Sequence, residues 1–166
     1  MPVRRPSRPA SGGNSSWRTR NERGVAGPSG FACDVGVVGF TLAGGMGWLS
    51  RTYGLAADNV VVAHVVLAKG AVVLASDPEH AHLLWASRGG GGSFGIVTSQ
   101  TLRRAPLSEA YGGALHYAYA DAASLLRRFA ASTRDISETM TGAPRNVGVL
   151  SDNSDSSGVT IRRCRL

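Results

Sequence analysis

Cysteine is nearly absent from these 166 residues, and the two present, Cys33 and Cys164, stand in unrelated contexts without CxxC spacing. That argues against a disulfide scaffold and a structural zinc site. The four histidines, at 64, 80, 82 and 116, form no ligand set. His80 and His82 are two apart on a predicted helix and face different ways, and His64 reads as a packed polar residue in a strand. No metal is expected. Long apolar runs are missing too: the longest uncharged stretch, residues 35–50, is 16 residues broken by glycine, too short and too weak to cross a bilayer. No apolar segment follows the Arg4-Arg5 pair, which argues against a secretory signal. The expectation is a cytoplasmic chain with no membrane partner; an arginine- and serine-rich, acid-poor start leaves a transit peptide as the alternative.

The net charge of +7 resembles a nucleic-acid signature until it is located. Residues 1–23 hold Arg4, Arg5, Arg8, Arg18, Arg20 and Arg23 against Glu22, and Arg162, Arg163 and Arg165 crowd the other end. Between them, residues 24–161 carry nine basic and ten acidic side chains. Basic ends attract polyanions without specificity, whereas the middle of the chain presents no basic excess. No specific nucleic-acid partner is expected.

Glycine, by contrast, is abundant, at 22 residues, and dense in two stretches. Residues 35–59 read VGVVGFTLAGGMGWLSRTYGLAADN and residues 85–98 read WASRGGGGSFGIVT. Glycine costs roughly 0.5–1 kcal/mol of extra conformational entropy inside a regular element. Gly36, Gly39, Gly44, Gly45 and Gly47 within twelve residues therefore imply a backbone that turns sharply or lies against a bulky ligand. A cofactor site is the leading expectation.

The pattern predicts an α+β chain. Residues 1–23 are a proline-, serine- and arginine-rich tail expected to be disordered. Extended chain with turns is expected over 30–43, then a helix over 47–53 ended by Gly54. Residues 60–67 and 71–75 are β-branched runs joined by Ala68-Lys69-Gly70, a hairpin signal. Asp77-Pro78-Glu79 predicts a helix start, with the helix stopping at Gly89. A strand follows over 94–103, another over 111–119, and a helix over 122–132 capped by Asp121, with Leu125, Leu126 and Phe129 on one face. From Ser151 the chain has no usable period and a disordered tail is expected.

Gly90-x-Gly92-x-x-Gly95 fits a dinucleotide-binding string, but that mechanism needs a strand before it and a helix after it. Here the predicted order is reversed. Gly91-x-Ser93-x-Gly95 matches a nucleophile elbow and fails for the same reason. A flexible linker is the plain alternative for the glycine run, but Trp85, Arg88 and an apolar strand make poor linker borders. Cys33 reads either as a half-buried apolar side chain or as an attachment point for a cofactor.

With both glycine stretches and the hairpin between them, residues 24–107 resemble the FAD-linked oxidases of the berberine bridge enzyme type, flavoproteins with a vanillyl-alcohol-oxidase-like, PCMH-type FAD-binding domain. The resemblance implies the second subdomain of that domain over 24–107, antiparallel strands with flanking helices. It implies the start of a substrate domain over 108–150, between the tails 1–23 and 151–166. It also implies FAD as cofactor, with the first glycine segment along the pyrophosphate and ribitol at Val35, Gly36, Val37, Gly39, Gly44, Gly45 and Gly47. Tyr53 matches the tyrosine of the family's SRxYGL element. The second segment, at Gly95, Ile96 and Val97, lines the adenosine end. Successive backbone N–H groups in such a bend suit an anion without lysine or arginine.

Departures from the family pattern are equally specific. The family's first subdomain, with its flavin-linked histidine, has no counterpart in residues 1–23. Its second attachment cysteine would fall on Ala32, one place from Cys33. Val38, Ala43, His82 and Ser93 replace usual residues. The expectation is a truncated fragment of a flavin-dependent oxidase, with a small-molecule substrate if active and no identifiable catalytic residue. The alternatives are an inactive remnant that binds flavin weakly or pairs with another chain, and polyanion binding through the arginine-rich tails. An apolar face left bare would drive self-association.

Overall fold

The computed structural model describes residues 5–7, 24–32, 35–107, 109–147 and 158–165. The chain divides into two compact units, Met1–Glu109 and Ala110–Leu166.

The first unit is built on an antiparallel sheet of β1 (Arg5–Ser7), β3 (Val60–Val66), β4 (Val72–Ser76) and β5 (Ile96–Leu102), in the order β1-β5-β3-β4. β3 and β4 are the predicted hairpin, with Val62 opposite Ser76 and Val66 opposite Val72. Gly70 takes the turn at φ 82°, and the Leu67 N–H donates to Ala71 O. The β-branched valines that fill β3 suit a pleated surface packed on one side: Ala63 and Val65 are buried while His64 between them is exposed. His64 is therefore on the open face of the sheet rather than packed as expected, because side chains alternate along a strand.

Helix α3 (Ala81–Gly90) carries the chain from β4 across to β5, so those two strands run parallel with β3 between them. Its start differs from the expected Asp77 cap. Residues 77–80 form a bend in which Ser76 and Glu79 exchange backbone hydrogen bonds, and His80 occupies the N-cap position at φ 53°. The Leu83 and Leu84 N–H groups donate to His80 O. Pairing of Ser76 with Glu79 closes the turn locally and delays the helix by three residues.

Residues 30–43, read as extended, contain helix α1 (Val37–Leu42). Its valines suit a strand in isolation, yet Val37, Val38, Thr41 and Leu42 are all buried, the spacing of one helical face. Val37, Val38 and Leu42 join Val60, Ala63, Val65, Ala75, Leu84, Val97 and Leu102 in a single core. Helix α2 (Ser50–Tyr53) ends at Gly54, φ 77°, as expected. A short ribbon of β2 (Val25–Ala26) against β6 (Ala105–Pro106), with Leu107 N–H donating to Gly24 O, ties the two ends of this unit together.

The second unit is a sheet of β7 (Tyr111–Ala118), β9 (Gly158–Arg165) and β8 (Met140–Val147), in that order, with helix α4 (Ala122–Ser132) linking β7 to β8. β9 lies antiparallel to both neighbours. It repeats the plan of the first unit, a β-α-β crossover with an opposed strand inserted. Residues 158–165 thus form a strand where an unstructured tail was expected. Their three arginines hide the β pattern in sequence, and pairing on both edges supplies the missing preference. Arg5–Ser7 likewise pairs with β5, Arg5 opposite Leu102, inside the expected disordered tail. Asp121 stands at the N-cap of α4 as expected, but its side chain makes no cap bond.

Candidate functional site

The first glycine segment opens at Gly36, the N-cap of α1 in extended conformation. Val35 is exposed, Val37 and Val38 are buried, and Gly39 is exposed on the helix surface with nothing within 4 Å of where a Cβ would stand. The first N–H groups of any helix lack intrahelical partners, and the first such bond here is Phe40 N–H to Gly36 O. The helix closes with Ala43 N–H donating to Gly39 O and Gly44 N–H to Thr41 O. Gly44 (φ 98°) and Gly45 (φ 73°) then take the left-handed turn in succession.

These two glycines differ in what surrounds them. A Cβ on Gly44 would meet nothing, while one on Gly45 would sit 2.5 Å from Ala56 Cβ and 3.0 Å from Phe40 O. Their carbonyls accept the N–H groups of Ala57 and Ala56. Gly47 is a packing glycine, since a Cβ there would overlap the Ser29 carbonyl. Its N–H donates to Ser50 Oγ at 2.8 Å.

Tyr53 ends α2. It lines a small cavity with Ala26, Pro28, Ser29, Leu49, Ser50, Asn59, Arg103 and Ala105, and its hydroxyl donates to Pro106 O at 3.2 Å. The neighbouring Asp58-Asn59 pair closes α2: Asp58 accepts from Leu55 N–H, and the Asn59 amide donates to Tyr53 O and Leu55 O. Phe31 meets Trp48 edge-on, centroids 4.7 Å apart, holding the chain before α1 to the chain after it.

In the second segment, Arg88 (ψ 84°) and Gly89 (φ 101°) leave helical geometry inside α3, and residues 91–94 form a 3-10 turn. Gly89, Gly91 and Gly92 are open on their Cβ side, whereas Gly90 is covered by the Phe94 ring. Gly95 is a packing glycine at φ 148°, with a Cβ position 2.6 Å from Val65 Cγ1 and 2.7 Å from Val66 O. Ile96 is 71% exposed and Val97 is buried in the core. α1 packs against α3, the 91–94 turn and β5, so the two glycine segments are neighbours in the fold.

The predicted site residues therefore fall into two groups. Val35, Gly36, Gly39, Gly44 and Ile96 keep backbone or side chain at least partly accessible, and Val37 and Val97 stand beside them with buried side chains. Gly45, Gly47, Gly95 and Tyr53 are occupied by the chain's own atoms. The unbroken glycine run was visible in the sequence, but not that Gly89, Gly91 and Gly92 stand open or that Arg88 Nε and Nη2 both donate to Val60 O. Cys33 lies outside the described residues. Among the described residues no group of three His, Cys, Asp or Glu could hold a metal, and no helix is long and apolar enough to cross a membrane.

Residues 12–76 match the family model described as an FAD binding domain. Over 75 residues the chain is 53% identical to the FAD-linked oxidoreductase pgmH of Aspergillus terreus, covering 45% of this chain and 15% of that one. The solved structure of 6-hydroxy-D-nicotine oxidase from Arthrobacter nicotinovorans superposes with a TM-score of 0.82 at 28% identity, over 98% of this chain and 35% of that one. Over part of its length the chain is similar to the FAD-binding domain of FAD-linked oxidoreductases. Berberine bridge enzyme from Eschscholzia californica shares the fold, with a TM-score of 0.76 at 24% identity over 98% of this chain and 33% of that one. The cofactor of this flavoprotein fold is FAD. The chain spans 15% of the length of pgmH and about a third of the solved oxidases.

The second glycine segment lies beyond the residues matched by the family model, but within the part superposed on the solved flavoproteins. The second unit of the chain offers a hollow of about 400 Å³ on its sheet, lined by Tyr111, Leu115, Met140, Ile161 and Arg165 among others.

Proposed function

We propose that this chain supplies part of the FAD cradle of a flavin-dependent oxidase that takes a hydride from an alcohol, sugar or amine carbon. The observation that carries the proposal is the open Cβ side of Gly39, on a helix packed against the helix and turn that carry the open glycines 89, 91 and 92. Gly44, Gly89 and Gly91 need glycine for their positive φ alone, but a Cβ at Gly39 or Gly92 meets no protein atom and neither has a positive φ, so nothing in the fold itself requires glycine there. Close approach of a ligand does.

FAD bound there would supply the hydride acceptor. The chain's part is placement. The backbone around Val35, Gly36, Val37 and Gly39 offers N–H groups to phosphate oxygens, and the Gly44 turn closes the other end of the same helix. Val37 and Val97 contribute backbone only, because their side chains belong to the core. The exposed Ile96 side chain offers an apolar surface to the adenosine end. Gly45, Gly47, Gly95 and Tyr53 act indirectly, by holding the two segments against the sheet.

Titration of FAD against wild type and Gly39→Ala, read by flavin fluorescence, tests this. A methyl at Gly39 is expected to weaken FAD at least tenfold, about 1.4 kcal/mol, while thermal stability holds or rises because alanine favours a helix. Affinity within twofold of wild type would reject the cradle.

A second reading, association with another chain, is favoured by the open face of the first sheet, where Val72 and Ile96 are both largely exposed. Size-exclusion chromatography with light scattering separates the two. A monomer at tens of micromolar speaks against association.

A further inference from the structure

The glycine run 89–92 has no side chains of its own to hold it, and Gly89, Gly91 and Gly92 touch nothing on their Cβ side. Its order must come from its borders. At the far border, the Phe94 ring lies under Gly90 and Gly95 is wedged against Val65 and Val66. At the near border stands Arg88. Its backbone leaves the helix at ψ 84°, and its side chain turns back toward the sheet. Both Nε and Nη2 donate to Val60 O. Val60 is almost fully buried at the head of β3, where the pairing of β3 with β5 slips between Val60 and Val62. A planar guanidinium presents two donors in fixed geometry, which a flexible ammonium cannot match. Asp77, 3.9 Å from Nη2 and largely exposed, adds a weak ion pair.

We infer that Arg88 is a positioning residue for the flavin loop: its guanidinium, clamped on Val60 O, fixes where the chain leaves α3 and so holds the glycines 89–92 in one conformation. The inference rests on the flavin reading above for its consequence, and on the Val60 contact for its mechanism. Without the clamp, four consecutive glycines would sample the broad φ range open to them, and FAD would have to order them on binding.

The test uses the full chain and three variants. Arg88→Met keeps the apolar stem and removes both donors, Arg88→Lys keeps the charge and one donor group, and Asp77→Asn removes only the ion pair. Backbone ¹⁵N order parameters for Gly89–Gly92 are expected to fall from near 0.85 to below about 0.6 in Arg88→Met. Those of β3 and β5 stay as in wild type, and FAD binds at least tenfold more weakly. Arg88→Lys restores part of both changes, and Asp77→Asn changes neither. Three results would each overturn the inference: unchanged order parameters in the loop, loosening spread equally over the sheet, or a mobile loop that binds FAD within twofold of wild type. Should Arg88→Met not fold, the Arg88→Lys and Asp77→Asn comparison carries the same decision. A wild-type chain that binds no FAD would remove the flavin reading instead, and the order parameters alone would then decide the clamp.

Discussion

At the scale of single residues, the glycines separate by what a methyl group would strike. Gly47→Ala drives a Cβ into the Ser29 carbonyl and is expected to cost about 1–3 kcal/mol, the usual range for overpacking, seen as a lower urea midpoint. Gly39→Ala is expected to leave that midpoint unchanged or higher. His80 is the opposite case, a side chain held at φ 53° where glycine rests without strain. His80→Gly is expected to raise the melting temperature by a few degrees in a thermal scan, provided the His80 carbonyl still receives Leu83 and Leu84. Gln100 is 1% exposed, and neither its Nε2 nor its Oε1 has a partner among the described residues. An unpartnered buried amide costs about 1–3 kcal/mol. Gln100→Met, close in volume, is therefore expected to raise the denaturation midpoint; a fall would mean that the amide has a partner in the folded protein.

At the scale of elements, legibility followed local chemistry. The β3–β4 hairpin was readable because two β-branched runs flank a glycine turn, and α2 because Gly54 ends it. Helix α1 was not readable, since VVGFTL has strand propensity and becomes helical by burying Val37, Val38 and Leu42 beside Leu84 and Val97. The start of α3 was misread because Asp77-Pro78-Glu79 carries every N-terminal signal, and the Ser76–Glu79 pairing overrides them. Leu84 is the fully buried contribution of α3 to the core. Leu84→Ala is expected to cost about 2–5 kcal/mol and to lower the urea midpoint of the first unit more than any surface change on that helix.

At the scale of the whole molecule, two units repeat one plan, a β-α-β crossover with an opposed strand between its arms. They are unequal in burial. The first holds a continuous core from Val37 to Leu102, whereas in the second Thr141 and Ile161 are the buried residues among those described. Opening free energy follows buried apolar contact. Amides of β7, β8 and β9 are therefore expected to exchange with deuterium faster than those of β3 and β5. Equal protection in the two sheets would show that the second unit is covered in solution by something beyond its own described side chains.

The resemblance to FAD-linked oxidases was legible in the order of residues: two glycine segments around a hairpin need no coordinates to be seen, because glycine density and turn chemistry are local properties. Which glycines face open space and which merely let the chain pack on itself was decided by tertiary structure alone. The residue type is the same in both roles. Only the atoms of distant segments, Ser29 beside Gly47, Ala56 beside Gly45 and Val65 beside Gly95, tell them apart. The strand at 158–165 belongs to the same class of fact, since its conformation is set by pairing with β7 and β8 rather than by its own arginine-rich sequence.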